Sequence, residues 1–245
     1  MESKYLEYVF SSSLTRLKDL VGGQFSYEER SSIPPRAALT YANGFYVKGT
    51  AIFVDLRDST ELSKNLKRPT LARAYRAFIS ELVAVFQGCV HTREVYVEGD
   101  CVWGMMDTPN KLAINQAFAV ACQCNSLVKT LRYLMEEMGL PPLHAGIGLA
   151  YGRALMIKAG HNGSGTNEIV WLGSVVSRAA ELCGLGDRED WFWGRSDPIF
   201  LDSSIFINLN EHNQSLCEED SEDSQYKSSA VNVEMSDWLT SQDMS

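Results

Sequence analysis

Two short stretches hold the residues that could do chemistry. "FVDLRDST" (53–60) ends a hydrophobic run in Asp55 and adds Asp58, Ser59 and Thr60 at once. "YVEGDC" (96–101) places Asp100 in a Gly-containing turn between two short apolar runs. A carboxylate that ends a buried strand calls for a cation, because an uncompensated charge there loses its hydration. Asp58 to Thr60 alone read as ordinary helix N-caps, and Asp100 alone as a turn residue. The two aspartates together ask for more. If they converge they repel unless a divalent ion lies between them, and Mg²⁺ or Mn²⁺ takes two carboxylates, water and substrate phosphates. The "LRDST" turn adds backbone N–H groups at a helix start, which suit an anion. Carboxylates, divalent metal and an amide cradle together describe a nucleoside triphosphate site.

The elements that must position these groups follow from periodicity. "FYVKGTAIFVDL" (45–56) reads as a long strand, covered on both faces from Ala51 to Val54. A helix is predicted over 69–87, with Pro69 in its first turn and Leu71, Tyr75, Phe78, Leu82 and Val85 on one stripe. A hairpin follows over 91–106, then a helix over 109–137 that stops before Pro141. Strands are expected at 143–152, 154–160 and 168–173, a short helix after Gly173, and a strand at 198–209. Helices interleaved with hairpins predict an α+β, ferredoxin-like domain: an antiparallel-rich sheet with helices on one face. Residues 1–44 form an N-terminal helix and connector, 45–209 the core, and 210–245 an acidic loop and a terminal segment that packs back. The acidic run 217–225 is expected to be a mobile loop.

Bulk properties exclude several classes. The 245 residues carry a net charge of −9, which argues against a nucleic-acid surface. No apolar run approaches the ~18 residues of a membrane span, and "MESKYLEYVF" is no signal peptide, so a cytoplasmic protein is expected. The six cysteines show no metal-ligand spacing and are expected to be reduced. His91 and His144 read as structural, and Trp171, Trp191, Trp193 and Trp238 as core or dimer contacts.

Four blocks resemble the class III nucleotidyl cyclases, in family order over residues 45–186. "AIFVDLRDSTELS" resembles their first signature and "YVEGDCVWGMM" their second, each with one metal aspartate. "HAGIGLAYGRALMIKAG" resembles their Gly-Ile-Gly strand, and "VWLGSVVSRAAELCGLG" the segment that completes the site from a partner subunit. The resemblance implies that Asp55 and Asp100, with the Leu56 carbonyl as a further ligand, bind two divalent ions, Mn²⁺ or Mg²⁺. It implies that the amides of Arg57, Asp58, Ser59 and Thr60 hold the β- and γ-phosphates, and that two copies pair head to tail. The departures are specific. Where the family has the ribose-orienting Asn and the transition-state Arg, this chain has Ser177 and Glu181, with Arg178 as the neighbouring base. Where purine cyclases carry Lys or Glu four residues before the second aspartate stands Tyr96, and the partner position is Val170. That pattern resembles the pyrimidine cyclases of bacterial Pycsar antiphage systems. It implies UTP as substrate ahead of CTP, with Tyr46, Arg93 and Tyr96 as candidate base contacts. Strand alternation puts Arg93 and Tyr96 on opposite faces unless a bulge intervenes. A purine cyclase with unusual base recognition and an inactive nucleotide-sensing domain stand as the alternatives.

Overall fold

The computed structural model describes residues 5–162, 167–190, 194–220 and 224–243. In chain order the elements are α1 (Phe10–Gly22), β1 (Ser26–Glu29), β2 (Asn43–Leu56), α2 (Ser59–Asn65), α3 (Arg68–Gln87), β3 (Thr92–Glu98), β4 (Cys101–Met106), α4 (Lys111–Glu137), β5 (Ala145–Gly160) and β6 (Asn167–Leu172). Then come α5 (Ser174–Cys183), β7 (Glu189–Asp190), β8 (Gly194–Arg195), β9 (Ile199–Asp202), α6 (Ser203–Phe206), α7 (Glu211–Ser215), β10 (Glu218–Asp220), β11 (Gln225–Ser228) and α8 (Val233–Asp243). The main sheet runs β10-β11-β9-β5-β2-β4-β3, with β1 beside the start of β2 and β6 beside the end of β5. All its pairings are antiparallel except β1 with β2 and β5 with β9.

Alternation along β2 divides the molecule into two cores. Ile52, Val54 and Leu56 point to one face, where they pack with Phe78 and Leu82 of α3 and Phe118 of α4. Ala51 points to the other, in a second cluster with Trp103, Ala150, Val175, Ala179 and Leu182. Helices therefore cover both faces of the sheet, α3 and α4 on one and α5 on the other, which corrects the expectation of a one-faced arrangement. The reason lies in β5. A Cβ on Gly148 would collide with backbone atoms of Ala179 and Cys183, and one on Gly146 with the Cys183 carbonyl and the Arg57 guanidinium. Bare backbone at these two positions lets α5 lie directly on the strand.

Other differences have local causes. Residues 143–152 and 154–160 form one strand rather than two, because β5 pairs without a break from Leu56↔Ala145 to Gly44↔Ile157 along an uninterrupted β2. The strand expected at 198–209 stops at Asp202, whose carboxylate accepts from the Ile205 amide at 2.8 Å and opens α6. The acidic stretch is not a loop throughout: β10 and β11 form a hairpin that joins the sheet through β9. Trp238 of α8 meets Tyr133 of α4 edge-on at 6.0 Å. Trp191 and Trp193 lie outside the described residues. All six cysteines are free, and among the described residues no helix is long and apolar enough to cross a membrane.

The close approach of α5 predicts that Gly148→Ala, a change most strands would welcome, destabilises this one. The expected loss is about 1–3 kcal/mol, typical of overpacking, measured by denaturant unfolding.

Candidate active site

Asp55 and Asp100 meet at one end of the sheet, where β2 finishes and the β3–β4 hairpin turns. Asp55 lies opposite Cys101 in the β2–β4 ladder, so the hairpin turn that carries Asp100 begins beside it. That turn has two residues, Gly99 and Asp100, between the paired Glu98 and Cys101. Gly99 adopts a φ of +67°, the left-handed geometry that suits the first central position of a type II′ hairpin turn. The Asp55 side chain is 37% exposed. Its pKa is raised, first by burial and next by the charge on Asp100, against a smaller opposing effect from Arg57. Asp100 has no hydrogen bond or ion pair of its own among the described residues. Two adjacent carboxylates, only one of them near a counter-charge, fit a divalent cation in chemistry and placement. No cluster of three or more His, Cys, Asp or Glu is present among the described residues, so further ligands would come from backbone, substrate or water.

The turn after β2 divides its groups between support and exposure. Arg57 donates its amide to the His144 carbonyl at 2.8 Å, so this N–H is spent within the fold and is not available to a phosphate. Its guanidinium turns inward. Asp58 stands at the N-cap position of α2 with a φ of +54° and makes no side-chain cap, which corrects its reading as an ordinary capping residue. Its carboxylate faces Arg195 at 3.6 Å. The amides of Ser59 and Thr60 open the first turn of α2, where N–H groups have no intrahelical acceptor. The Leu56 side chain is buried in the α3–α4 core.

Sequence reasoning passed over two further parts. Tyr75 reads as one apolar position on the α3 stripe, yet its hydroxyl lies near the Ser59 side chain, and its pKa is raised first by burial and next by the charge on Asp100. Its phenol tip therefore lies at the carboxylates. A polar end on an otherwise apolar stripe was the available signal. Behind the turn, buried Asp187 accepts from the Ala145 amide at 3.2 Å and from Arg132 at 3.3 Å, and lies 3.1 Å from His144 Nδ1. No spacing in the sequence joins residues 132, 144 and 187. His144 has the structural role expected of it.

The remaining predicted residues lie elsewhere in the chain. Ser177 and Arg178 sit on α5 and line a separate cleft of about 340 Å³ with Tyr151, Asp202 and Ser204. There Arg178 donates to Gln225 at 2.8 Å and pairs with Glu181 at 3.5 Å, while burial pushes the Asp202 carboxyl up to about 6. Tyr46 precedes Asp55 by nine residues on one strand, roughly 30 Å away at the rise of a β-strand. Its ring lies under the Arg153 guanidinium, 3.6 Å from the ring centre. Arg93 occupies the bulge between Thr92 and Glu94 and reaches the Val90 carbonyl at 2.8 Å and Asp107 at 3.4 Å. The bulge falls on Arg93 itself, at the Met106 end of the hairpin, and does not bring it to Tyr96. Tyr96 is buried. Its ring stacks on Trp103, which stacks in turn on Phe53, with centroids 4.2 and 4.9 Å apart. Its hydroxyl accepts from Trp171 Nε1 at 2.9 Å and reaches the Ile169 carbonyl at 3.4 Å. Within one chain its polar end is thus taken up by protein.

Two outcomes follow. Because the Asp55 pKa is raised on folding, its ionisation opposes folding above the ordinary carboxylate range and has no effect well below it. Without divalent ions, Asp55→Asn is expected to raise the melting temperature at pH 7, and the gain should vanish on acidification through that range. Tyr96→Phe leaves the buried Trp171 N–H without its acceptor and should cost about 1–3 kcal/mol in equilibrium unfolding.

The chain is similar to proteins of known activity. No family model matches it. A uridylate cyclase of Gulbenkiania mobilis is 40% identical over 219 residues, covering 86% of this chain and 83% of that protein. A uridylate cyclase of Treponema porcinum is 35% identical over 211 residues, covering 86% and 72%. Among solved structures, the adenylyl cyclase CyaB from P. aeruginosa superposes with a TM-score of 0.63 at 17% identity, over 78% of this chain and 97% of that one. A class III adenylyl cyclase-like ATP-binding protein from Pseudomonas aeruginosa gives a TM-score of 0.68 at 16% identity, over 94% of this chain and 48% of that one. The structural likenesses establish a class III cyclase fold and the sequence relatives the kinship: the chain is a nucleotidyl cyclase and belongs to the family of these uridylate cyclases.

Proposed function

We propose that this enzyme converts UTP to 3′,5′-cyclic UMP and pyrophosphate in a head-to-tail homodimer. The observation that carries the reading is the Asp55–Asp100 pair beside the first turn of α2, in a chain 35–40% identical to proteins named uridylate cyclase. In the reaction the ribose 3′-hydroxyl gives up its proton to solvent, its oxygen bonds to the α-phosphorus in line, the bond to the bridging oxygen breaks, and pyrophosphate leaves with that electron pair. Asp55 and Asp100, with the Leu56 carbonyl, would hold two divalent ions, Mn²⁺ or Mg²⁺, which when bound supply positive charge to the triphosphate and activate the 3′-hydroxyl. The amides of Ser59 and Thr60 receive the phosphates. Tyr75 and Ser59 lie beside the carboxylates, and the partial burial of Asp55 strengthens its attraction for a cation.

The partner subunit enters because one chain does not assemble the site. Tyr46 and Arg93 lie toward the opposite end of the sheet from Asp55 and Asp100, and Ser177 and Arg178 in another cleft. A head-to-tail pair sets the far end of one sheet against the near end of the other. Tyr46 and Arg93 then read the base, while Ser177 and Arg178 face the ribose and the α-phosphate. Tyr96, sealed against Trp171, narrows the space a purine would need, which favours a pyrimidine over ATP or GTP. The resemblance to Pycsar cyclases supports a cytoplasmic enzyme whose product serves as an antiphage messenger.

Incubation with each of the four nucleoside triphosphates and Mn²⁺ should yield cyclic UMP above all other products; cyclic AMP as the main product would end the pyrimidine reading. Asp55→Ala and Asp100→Ala should each abolish turnover while the protein stays folded. Mixing Asp55→Ala with Arg178→Ala should restore activity through mixed dimers that keep one intact site. If the mixture stays inactive although mixed dimers form, the shared-site assembly is wrong.

A further inference from the structure

Arg57 carries the strongest unassigned feature of the molecule. Its side chain is only 15% exposed. Nε donates to the Gly186 carbonyl at 2.8 Å, one terminal nitrogen donates to the Cys183 carbonyl, and the other lies 3.8 Å from the Asp55 carboxylate. The two carbonyls belong to the last residue of α5 and the turn after it, the negative end of that helix, where a guanidinium is favoured. Gly146 leaves the space: a side chain there would overlap both the guanidinium and the Cys183 carbonyl. Cys183 Sγ also donates to the Gly146 carbonyl at 3.1 Å, which secures the helix end to β5. The main chain of Arg57 is fixed as well, through its amide on His144.

This geometry does not suit a phosphate ligand, since Nε and one terminal nitrogen already donate to carbonyls inside the protein and the other terminal nitrogen faces the Asp55 carboxylate. We infer that Arg57 is a positioning residue that ties the Asp55 carboxylate to the C-terminal end of α5, so that the helix bearing Ser177 and Arg178 and the carboxylate move as one unit. Two carbonyl acceptors in fixed directions, with a carboxylate paired at 3.8 Å to the third nitrogen, suit the planar fork of arginine, which a lysine ammonium cannot reproduce. The inference builds on the cyclase reading for its kinetic consequence, but not for the mechanical link itself.

The test has two arms on Arg57→Gln and Arg57→Lys. In the first, hydrogen exchange is followed by mass spectrometry on protein free of nucleotide and metal. Both variants should exchange faster than wild type over residues 174–188 and 55–62, whereas Asp55→Asn should not accelerate 174–188. In the second, both variants should lose about 10- to 100-fold in kcat, the scale of a misplaced reacting group, while KM for UTP stays within about threefold. Unchanged exchange in 174–188 overturns the link, and so does full activity in Arg57→Lys, which would make charge alone sufficient. A rise confined to KM overturns it too, because Arg57 would then contact the triphosphate. Should Arg57→Gln fail to fold, Arg57→Lys decides the question. If wild type makes no cyclic nucleotide, the cyclase reading fails, and the exchange arm still settles the coupling.

Discussion

The register between β2 and β5 is the constraint on which the rest of the structure depends. It sets Asp55 opposite Gly146 and Phe53 opposite Gly148, so that the strand bearing the carboxylate lies beside the one strand that a helix can approach at backbone distance. Side chains alternate with a period of two. A slip of one residue would carry Asp55 into the α3–α4 core and expose Ile52 and Val54 on the opposite face. The hydrophobic pattern of β2 therefore fixes the position of a charge. Burial of Ile52, Val54 and Leu56 holds Asp55 at the edge of the other face.

That arrangement has an energetic cost that points to its use. A chain selected only for stability would not set Asp100 beside a half-buried Asp55 and leave the pair with a single arginine 3.8 Å away. Sites that act on charged substrates keep such tension, because the ligand that relieves it then binds with the free energy that folding gave up. The surroundings keep the tension local. Behind the turn, Asp187 satisfies an amide and lies among Arg132, His144 and Arg195, so the charges there are paired. On the same face of the sheet as Asp55, Phe53, Trp103 and Tyr96 form an aromatic stack closed by Trp171. Both supports come from residues far apart in sequence, and the carboxylates sit between them.

The difference between what one chain holds and what the chemistry needs has the same origin. A long strand sets its residues at two ends of the sheet, roughly 30 Å apart for Asp55 and Tyr46, the residue proposed to contact the base. No folding of a single domain brings those ends together. In the proposed head-to-tail homodimer a second copy in reversed orientation would do so by symmetry, with two equivalent sites at the interface.

The sequence by itself determined the elements near the site and the identity of its charged pair. A hydrophobic run ending in Asp55, a Gly-Asp hairpin and a Pro-initiated helix are local signals, written in propensities and spacings that do not depend on the rest of the chain. It also determined the family, because its four blocks keep their order. Tertiary structure decided the second helical layer: α5 carries a helical apolar stripe, but which sheet face it covers followed from what two glycines of β5 leave uncovered. It decided that Asp202 would end a strand and that the acidic segment would extend the sheet. It assigned Arg57 inward, where residues near it in sequence suggested a phosphate contact, and it brought Tyr75 to the carboxylates. In each case the deciding partner lay far along the chain, from Asp187 against Ala145 to Cys183 against Arg57. Hydrogen-bond satisfaction and close packing at that range depend on three-dimensional proximity, and a one-dimensional pattern does not contain it.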